Sequence, residues 1–157
     1  MKARAQIVAA GRISDAERLW YDTSRWASFI DGFHHVASVD PEWPASGTLT
    51  WDTHHGGRGR VLEIVERYEA RVGQTSSVED ATTVGTQAIG FEALPDEHVR
   101  ITLELSWQLK QRGIGPIQWV VDGLFIRPRQ REALVRTLGR FRRELAVELE
   151  PDRLVDQ

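Results

Sequence analysis

One segment, Val99–Lys110, constrains the fold more than any other, together with the helical stretch after it. Val99, Ile101, Leu103, Leu105, Trp107 and Leu109 hold the odd positions. Arg100, Thr102, Glu104, Ser106, Gln108 and Lys110 hold the even ones. A period of two puts one face of a strand in a core and the other in water. After Gln111-Arg112-Gly113 the period changes. Leu134, Leu138, Phe141, Leu145 and Leu149 recur at helical spacing, with arginines and glutamates between them. A one-sided sheet leading into a one-sided helix predicts that the helix lies on the sheet and that the functional part of the molecule is what they enclose.

The rest of the chain supplies that sheet. Residues 3–10 read as a first strand ended by Gly11. Ser14-Asp15-Ala16-Glu17 has the form of a capping box, opening a short helix that turns Leu19 and Trp20 inward. A second short helix is expected over Ser24–Ile30. Further strands are expected over Phe33–Val39, Thr48–Thr53, Arg60–Ala70, Arg71–Glu79, Thr83–Ala93 and Val99–Lys110. A proline-rich loop separates the first two, and Pro95-Asp96-Glu97 closes a hairpin between the last two. Connections this short require antiparallel pairing. The last helix is expected from about Gly115 to Leu149, kinked or broken near Phe125–Arg127 by Pro128 and ended at Pro151. A curled meander crossed on its concave side by one long helix leaves room for a cavity.

Composition narrows the partners. The chain of 157 residues, 41% hydrophobic and 27% charged, is expected to form a single domain over 1–157. A formal charge of −3 gives no electrostatic case for nucleic acid. No stretch reaches the roughly 18 apolar residues of a membrane span, and the start of the chain lacks the apolar run of a signal peptide. With no cysteine, disulfide and thiolate chemistry are excluded, and a cytoplasmic location is expected.

Several segments resemble the START/Bet v 1-like superfamily (SRPBCC), in particular its bacterial polyketide cyclase/dehydrase and lipid-transport group. They are Ala9–Trp20, Trp26-Ala27-Ser28-Phe29-Ile30, Gly59-Arg60-Val61-Leu62-Glu63-Ile64-Val65-Glu66, and the last helix opening at Gly115-Pro116-Ile117 and closing in the Leu/Arg-rich run Leu134–Leu145. The resemblance implies an α+β helix-grip fold: a curved antiparallel sheet of six or seven strands wrapped around a long C-terminal helix, with two short helices after the first strand. It also implies an internal apolar cavity. Members bind lipids, sterols or polyketides, and some cyclise or dehydrate them, so fold alone does not decide function.

The expected cavity wall comprises Trp26, Leu49, Trp51, Gln87, Phe91, Leu103, Leu105, Trp107, Val121 and Phe125, with Ile117, Trp119, Val120 and Leu124 beside them. Such a wall suits a hydrophobic ligand, with Gln87 and His35 as weak orienting groups. Candidate acid/base residues are His35, His55 and Glu92. One histidine of each pair, His34-His35 and His54-His55, should approach the other across a hairpin. Continued alternation points His35 and His55 inward. Of Phe91 and Glu92, Phe91 is favoured for the inside. No third metal donor is evident, so neither a metal nor a cofactor is called for. Gly56-Gly57-Arg58-Gly59 lacks the context of a phosphate loop and reads as a mobile turn at the cavity mouth. The arginines of the last helix, Arg127 to Arg143, read as a solvated face paired in part with Glu132 and Glu144. Three functions remain: binding of an apolar small molecule, aromatic polyketide cyclisation or dehydration by a cavity His or Glu, and protein interaction through the exposed sheet face or the arginine helix. Self-association into a homodimer is left open.

Overall fold

The computed structural model describes residues 1–110 and 127–155. Seven antiparallel strands form one curved, open sheet: β1 (Lys2–Ala10), β2 (Phe33–Val39), β3 (Thr48–Thr53), β4 (Arg60–Glu69), β5 (Gly73–Glu79), β6 (Thr83–Leu94) and β7 (His98–Leu109). Their order is β1-β7-β6-β5-β4-β3-β2. From β2 to β7 each strand pairs with its successor in the chain, and β1 returns to pair with β7, Ala5 opposite Leu103.

The alternation of β7 is realised from Val99 to Gln108, and Leu109 at its end is half-buried. Val99, Ile101, Leu103, Leu105 and Trp107 are buried, whereas Glu104 and Gln108 are exposed. The β6–β7 hairpin turns at Pro95-Asp96-Glu97, where Asp96 and Glu97 adopt φ of 60° and 52°. Gly85 of β6 cannot carry a side chain, because a Cβ there would collide with the Ser106 carbonyl of β7.

The helix α1 (Ile13–Tyr21) buries Ala16, Leu19 and Trp20. Its N-terminal cap is not the expected one. The Arg12 amide donates to Asp15 Oδ2 at 3.1 Å, and Glu17 instead accepts from the Arg71 amide. The reason lies at Gly11. Its amide is held by the Glu97 carbonyl at 2.7 Å, and its φ of 135° turns the chain so early that the helix begins before Ser14 can act as cap. The expected second helix divides into a 3₁₀ turn at Thr23–Arg25, capped by Asp22, and one turn of α2 (Trp26–Phe29).

The C-terminal helix is described as α3 (Arg127–Val155). Its expected beginning at Gly115 lies outside the described residues. Pro128 lies at the start of the described span, and the expected kink or break near Phe125–Arg127 falls at the edge of the described residues. The helix does not stop at Pro151 but runs on to Val155. Leu134, Leu138, Phe141 and Leu145 are buried as the spacing predicts. The stripe packs on β1 and α2. Small residues on the inner face of β1, Ala3 and Ala9 among them, let the helix come close. The same closeness explains Gly11, where a Cβ would lie 3.0 Å from Leu149 Cδ1.

Ion pairs fasten α3 to the short helices. Asp31 accepts from Arg136 at 3.1 and 3.0 Å and from Arg140 at 3.2 Å, and its amide donates to Thr137 Oγ1. Arg25 meets Glu144 at 3.0 Å. Of the pairings expected along the helix itself, Glu132 does reach Arg136, at 3.6 Å, whereas Glu144 turns to Arg25.

Candidate functional site

Among the described residues, a cavity of about 370 Å³ lies between the sheet and the first half of α3. Its apolar wall includes Trp20, Trp26, Trp51, Leu103, Leu105 and Leu134. The indoles are rigidly placed. Trp26 Nε1 donates to the Trp20 carbonyl at 2.8 Å, and Trp51 Nε1 donates to Glu63 Oε1 at 2.9 Å. With both N–H groups satisfied inside the protein, the rings offer apolar surface. Trp26 also meets Phe33, Trp43 and Trp51 edge-on, with centroids 5.8–6.2 Å apart.

The inner face toward α1 is filled rather than hollow. Tyr21 packs edge-on against Trp43, Tyr68 and Phe91. Its buried hydroxyl has no partner among the described residues, and burial pushes its pKa up. Gln74 is drawn inward beside this cluster, donating to the Pro44 carbonyl at 2.8 Å. The cavity is therefore confined to one end of the sheet.

Three polar residues of the sheet line the cavity, Thr53 at the end of β3, Glu63 from β4 and Gln87 from β6. Glu63 is only 3% exposed. Burial pushes its carboxyl above the ordinary value, and this outweighs the Trp51 hydrogen bond and the Arg58 charge, which pull the other way. The cavity opens where the lining becomes exposed, at Gly56 and Gly57 of the β3–β4 turn and at Arg129 and Arg136 of α3. Arg58 is fixed at this opening. Its Nε donates to Asp80 Oδ2 at 2.6 Å. Asp80 is buried and also accepts from the amides of Thr82 and Thr83 and the Thr83 hydroxyl. Burial alone would raise the Asp80 carboxyl, but the Thr82 amide, Arg58 and Thr83 together hold it below its usual range.

Of the expected wall, Trp26, Trp51, Gln87, Leu103 and Leu105 line the cavity. Leu49, Phe91 and Trp107 are buried in the core without lining it, Phe91 within the Tyr21 cluster. Val121 and Phe125 lie outside the described residues, as do Ile117, Trp119, Val120 and Leu124.

The acid/base candidates are not in the cavity. His35 is exposed and its Nε2 lies 3.2 Å from Asp52 Oδ2, on the outside. A register shift between Phe33 and His35 breaks the alternation on which its inward placement rested. His55 is exposed in the turn beyond Thr53, where strand parity no longer applies. The histidine pairs do meet, through His34 and His54 with ring centroids 5.1 Å apart, on the solvent side. Among the described residues, no three such side chains are grouped to hold a metal. Glu92 is exposed and pairs with Arg100 at 2.6 Å, leaving Phe91 inside.

Glu63 is one of four mid-strand carboxylates, with Glu66, Glu92 and Glu104, and strand-by-strand reading assigns it no face. Val61-Leu62 and Ile64-Val65 flank it with apolar residues on both parities, so β4 carries no clear alternation. The signal lies in pairing. Leu49 is directly opposite Glu63 and Trp51 opposite Val61, and direct partners share a face.

The sequence matches no protein-family model and no curated protein. Solved structures share its architecture. A protein from Thermus thermophilus superposes with a TM-score of 0.73 at 16% identity, over 94% of this chain and 99% of the other. A START superfamily protein from Mycobacterium smegmatis gives 0.64 at 14% identity, over 90% and 97%. A protein of the dynemicin biosynthetic locus gives 0.65 at 13% identity, over 92% of this chain and 47% of the other. The chain has the START-like helix-grip fold.

Proposed function

We propose that this protein binds an apolar small molecule, such as a lipid or an aromatic polyketide, between the sheet and α3, to carry or sequester it. The observation that carries this reading is a cavity of about 370 Å³ walled by three indoles and three leucines, with Glu63 and Gln87 among them and charged side chains gathered at its opening. This is the size and chemistry of a small-ligand site. An aromatic ligand burying about 200 Å² would gain about 5 kcal/mol from apolar burial before the costs of association. The wall residues Trp26, Trp51, Leu103 and Leu105 would make the apolar contacts. The START superfamily neighbour supports the same reading. Native mass spectrometry of freshly purified protein tests it: an apolar adduct that leaves on mild activation is expected. No adduct, together with no change in tryptophan emission on adding naphthalene derivatives, refutes it.

One observation favours a second reading, an aromatic polyketide cyclase or dehydratase. Glu63 is a buried carboxyl whose proton affinity is raised, the condition for acid/base work near neutral pH. The neighbour from a dynemicin biosynthetic locus is in keeping with it. The two readings separate on Glu63→Gln. An enzyme loses turnover while affinity is kept, whereas a carrier shows no turnover to lose.

A further inference from the structure

Glu63 does not stand alone on the inner face of the sheet. Gln74, Ser76 and Val78 are the buried, inward residues of β5. Ser76 is directly opposite Gln87 of β6, while Glu63 of β4 is opposite Val78 and diagonal to Ser76. Glu63, Ser76 and Gln87 therefore form a polar stripe across three adjacent strands, in a face that is otherwise apolar at this level. Ser76 is 2% exposed, and its hydroxyl has no hydrogen-bond partner among the described residues. Glu63 accepts one hydrogen bond there, at Oε1 from Trp51. Buried polar groups are rarely left unpartnered in folded proteins. Glu63 and Gln87 of this stripe line the cavity, and polar groups facing a hollow ask for polar atoms in the occupant.

We propose that the occupant is an oxygenated apolar molecule, with a ketone- or carboxyl-type oxygen seated against Glu63, and not a plain hydrocarbon. This inference rests on the ligand-binding reading above and specifies its ligand class. With Oε1 engaged by Trp51, the second oxygen of a protonated Glu63 is the donor that such a carbonyl needs. Burial favours that protonated form. The Gln87 amide is a second polar contact, and the apolar body lies against Trp26, Trp51 and Leu105. A cationic amine, the alternative partner for a carboxylate, would enter past Arg58, Arg129 and Arg136, which line the same cavity.

The test uses an isosteric pair of probes, 2-acetylnaphthalene and 2-isopropenylnaphthalene, titrated at pH 6 and followed by tryptophan emission. The wild-type protein is expected to bind the ketone about tenfold more tightly, the worth of one good buried hydrogen bond. Glu63→Gln, which keeps an N–H donor, retains most of that preference. Glu63→Leu abolishes it while still binding the hydrocarbon, with circular dichroism confirming that the variant is folded. Raising the pH narrows the wild-type preference, because a carboxylate has no proton to donate, but leaves Glu63→Gln unchanged. The other charged groups around the cavity are Arg58, paired with Asp80, Arg129, and Arg136, paired with Asp31. Equal affinities of wild-type protein for the two probes overturn this inference and leave the cavity reading intact. So does a preference that survives in Glu63→Leu. Failure of both probes to bind overturns the two together.

Discussion

At the scale of single residues, two buried carboxylates respond to pH in opposite directions. Burial raises Glu63 above its ordinary 4.5, so above that pH the native state holds a proton that the unfolded chain releases. Stability must then fall as pH rises from 4.5 toward the folded value, by at most about 1.4 kcal/mol per pH unit. Glu63→Gln removes this fall. Urea midpoints taken from pH 5 to pH 8 are expected to converge at the acid end and to favour the variant at the alkaline end. Parallel curves would show that Glu63 is ionised throughout. Asp80 runs the other way. Its folded value lies below 3.8, so its contribution is complete above that pH and is lost as pH falls through the folded value. Removing its carboxylate strands Arg58 and the amides of Thr82 and Thr83. Asp80→Ala should cost about 3–5 kcal/mol of unfolding free energy at pH 7, read from denaturant melts. Asp80→Asn, which still accepts from the amides, should cost less.

At the scale of elements, the helix α3 is held by its stripe more than by its arginines. Leu138 is fully buried on β1 and α2, so Leu138→Ala should cost about 2–5 kcal/mol. Arg142→Ala, on the exposed face, should stay within about 0.5 kcal/mol. Comparable losses in the two urea midpoints would mean that charge, not burial, seats the helix. This stripe is legible from spacing alone, and so is β7, because in each element one periodicity is obeyed without exception by the buried residues. Where two periodicities or two caps compete, local reading fails. The box at Ser14 and Glu17 is well formed as sequence, but the early turn at Gly11 moves the cap to Arg12 and Asp15. Pro151 looks like a terminus, yet one lost backbone bond near an exposed end does not outweigh the turns already formed. His35 escapes strand parity for a similar reason, since an irregular step between Phe33 and His35 reverses the sense of His35 and Val36 before a second step between Val36 and Ser38 restores it.

At the scale of the whole molecule, the grip of helix on sheet is implied by the order of the elements, but the position of the hollow is not. It depends on which half of the inner face is plugged. The aromatic cluster around Tyr21 gathers residues from α1, the β2–β3 loop, β4 and β6, a convergence no local pattern announces. The exposure of Glu63 to the cavity likewise depends on the β3–β4 register. Whether the remaining space is a binding site can be decided by filling it. Ala133 lies on α3 at the cavity wall, on a good helix-forming position, and a tryptophan there would project a ring into the hollow. If the space is a true void, Ala133→Trp should fold with unchanged or higher thermal stability, because apolar surface is gained without displacing a neighbour. If the space is ordinary core, overpacking should cost about 1–3 kcal/mol. Ligand linkage supplies the second half of the measurement. A ligand at one hundred times its dissociation constant stabilises the wild-type protein by about 2.7 kcal/mol, or roughly 5–10 °C in melting temperature for a chain of this size. With 2-acetylnaphthalene as the ligand, that shift should vanish in Ala133→Trp while the ligand-free melting temperature holds. A variant that still responds to the ligand would place the binding site elsewhere, and one that melts early without ligand would show that the indole has no room.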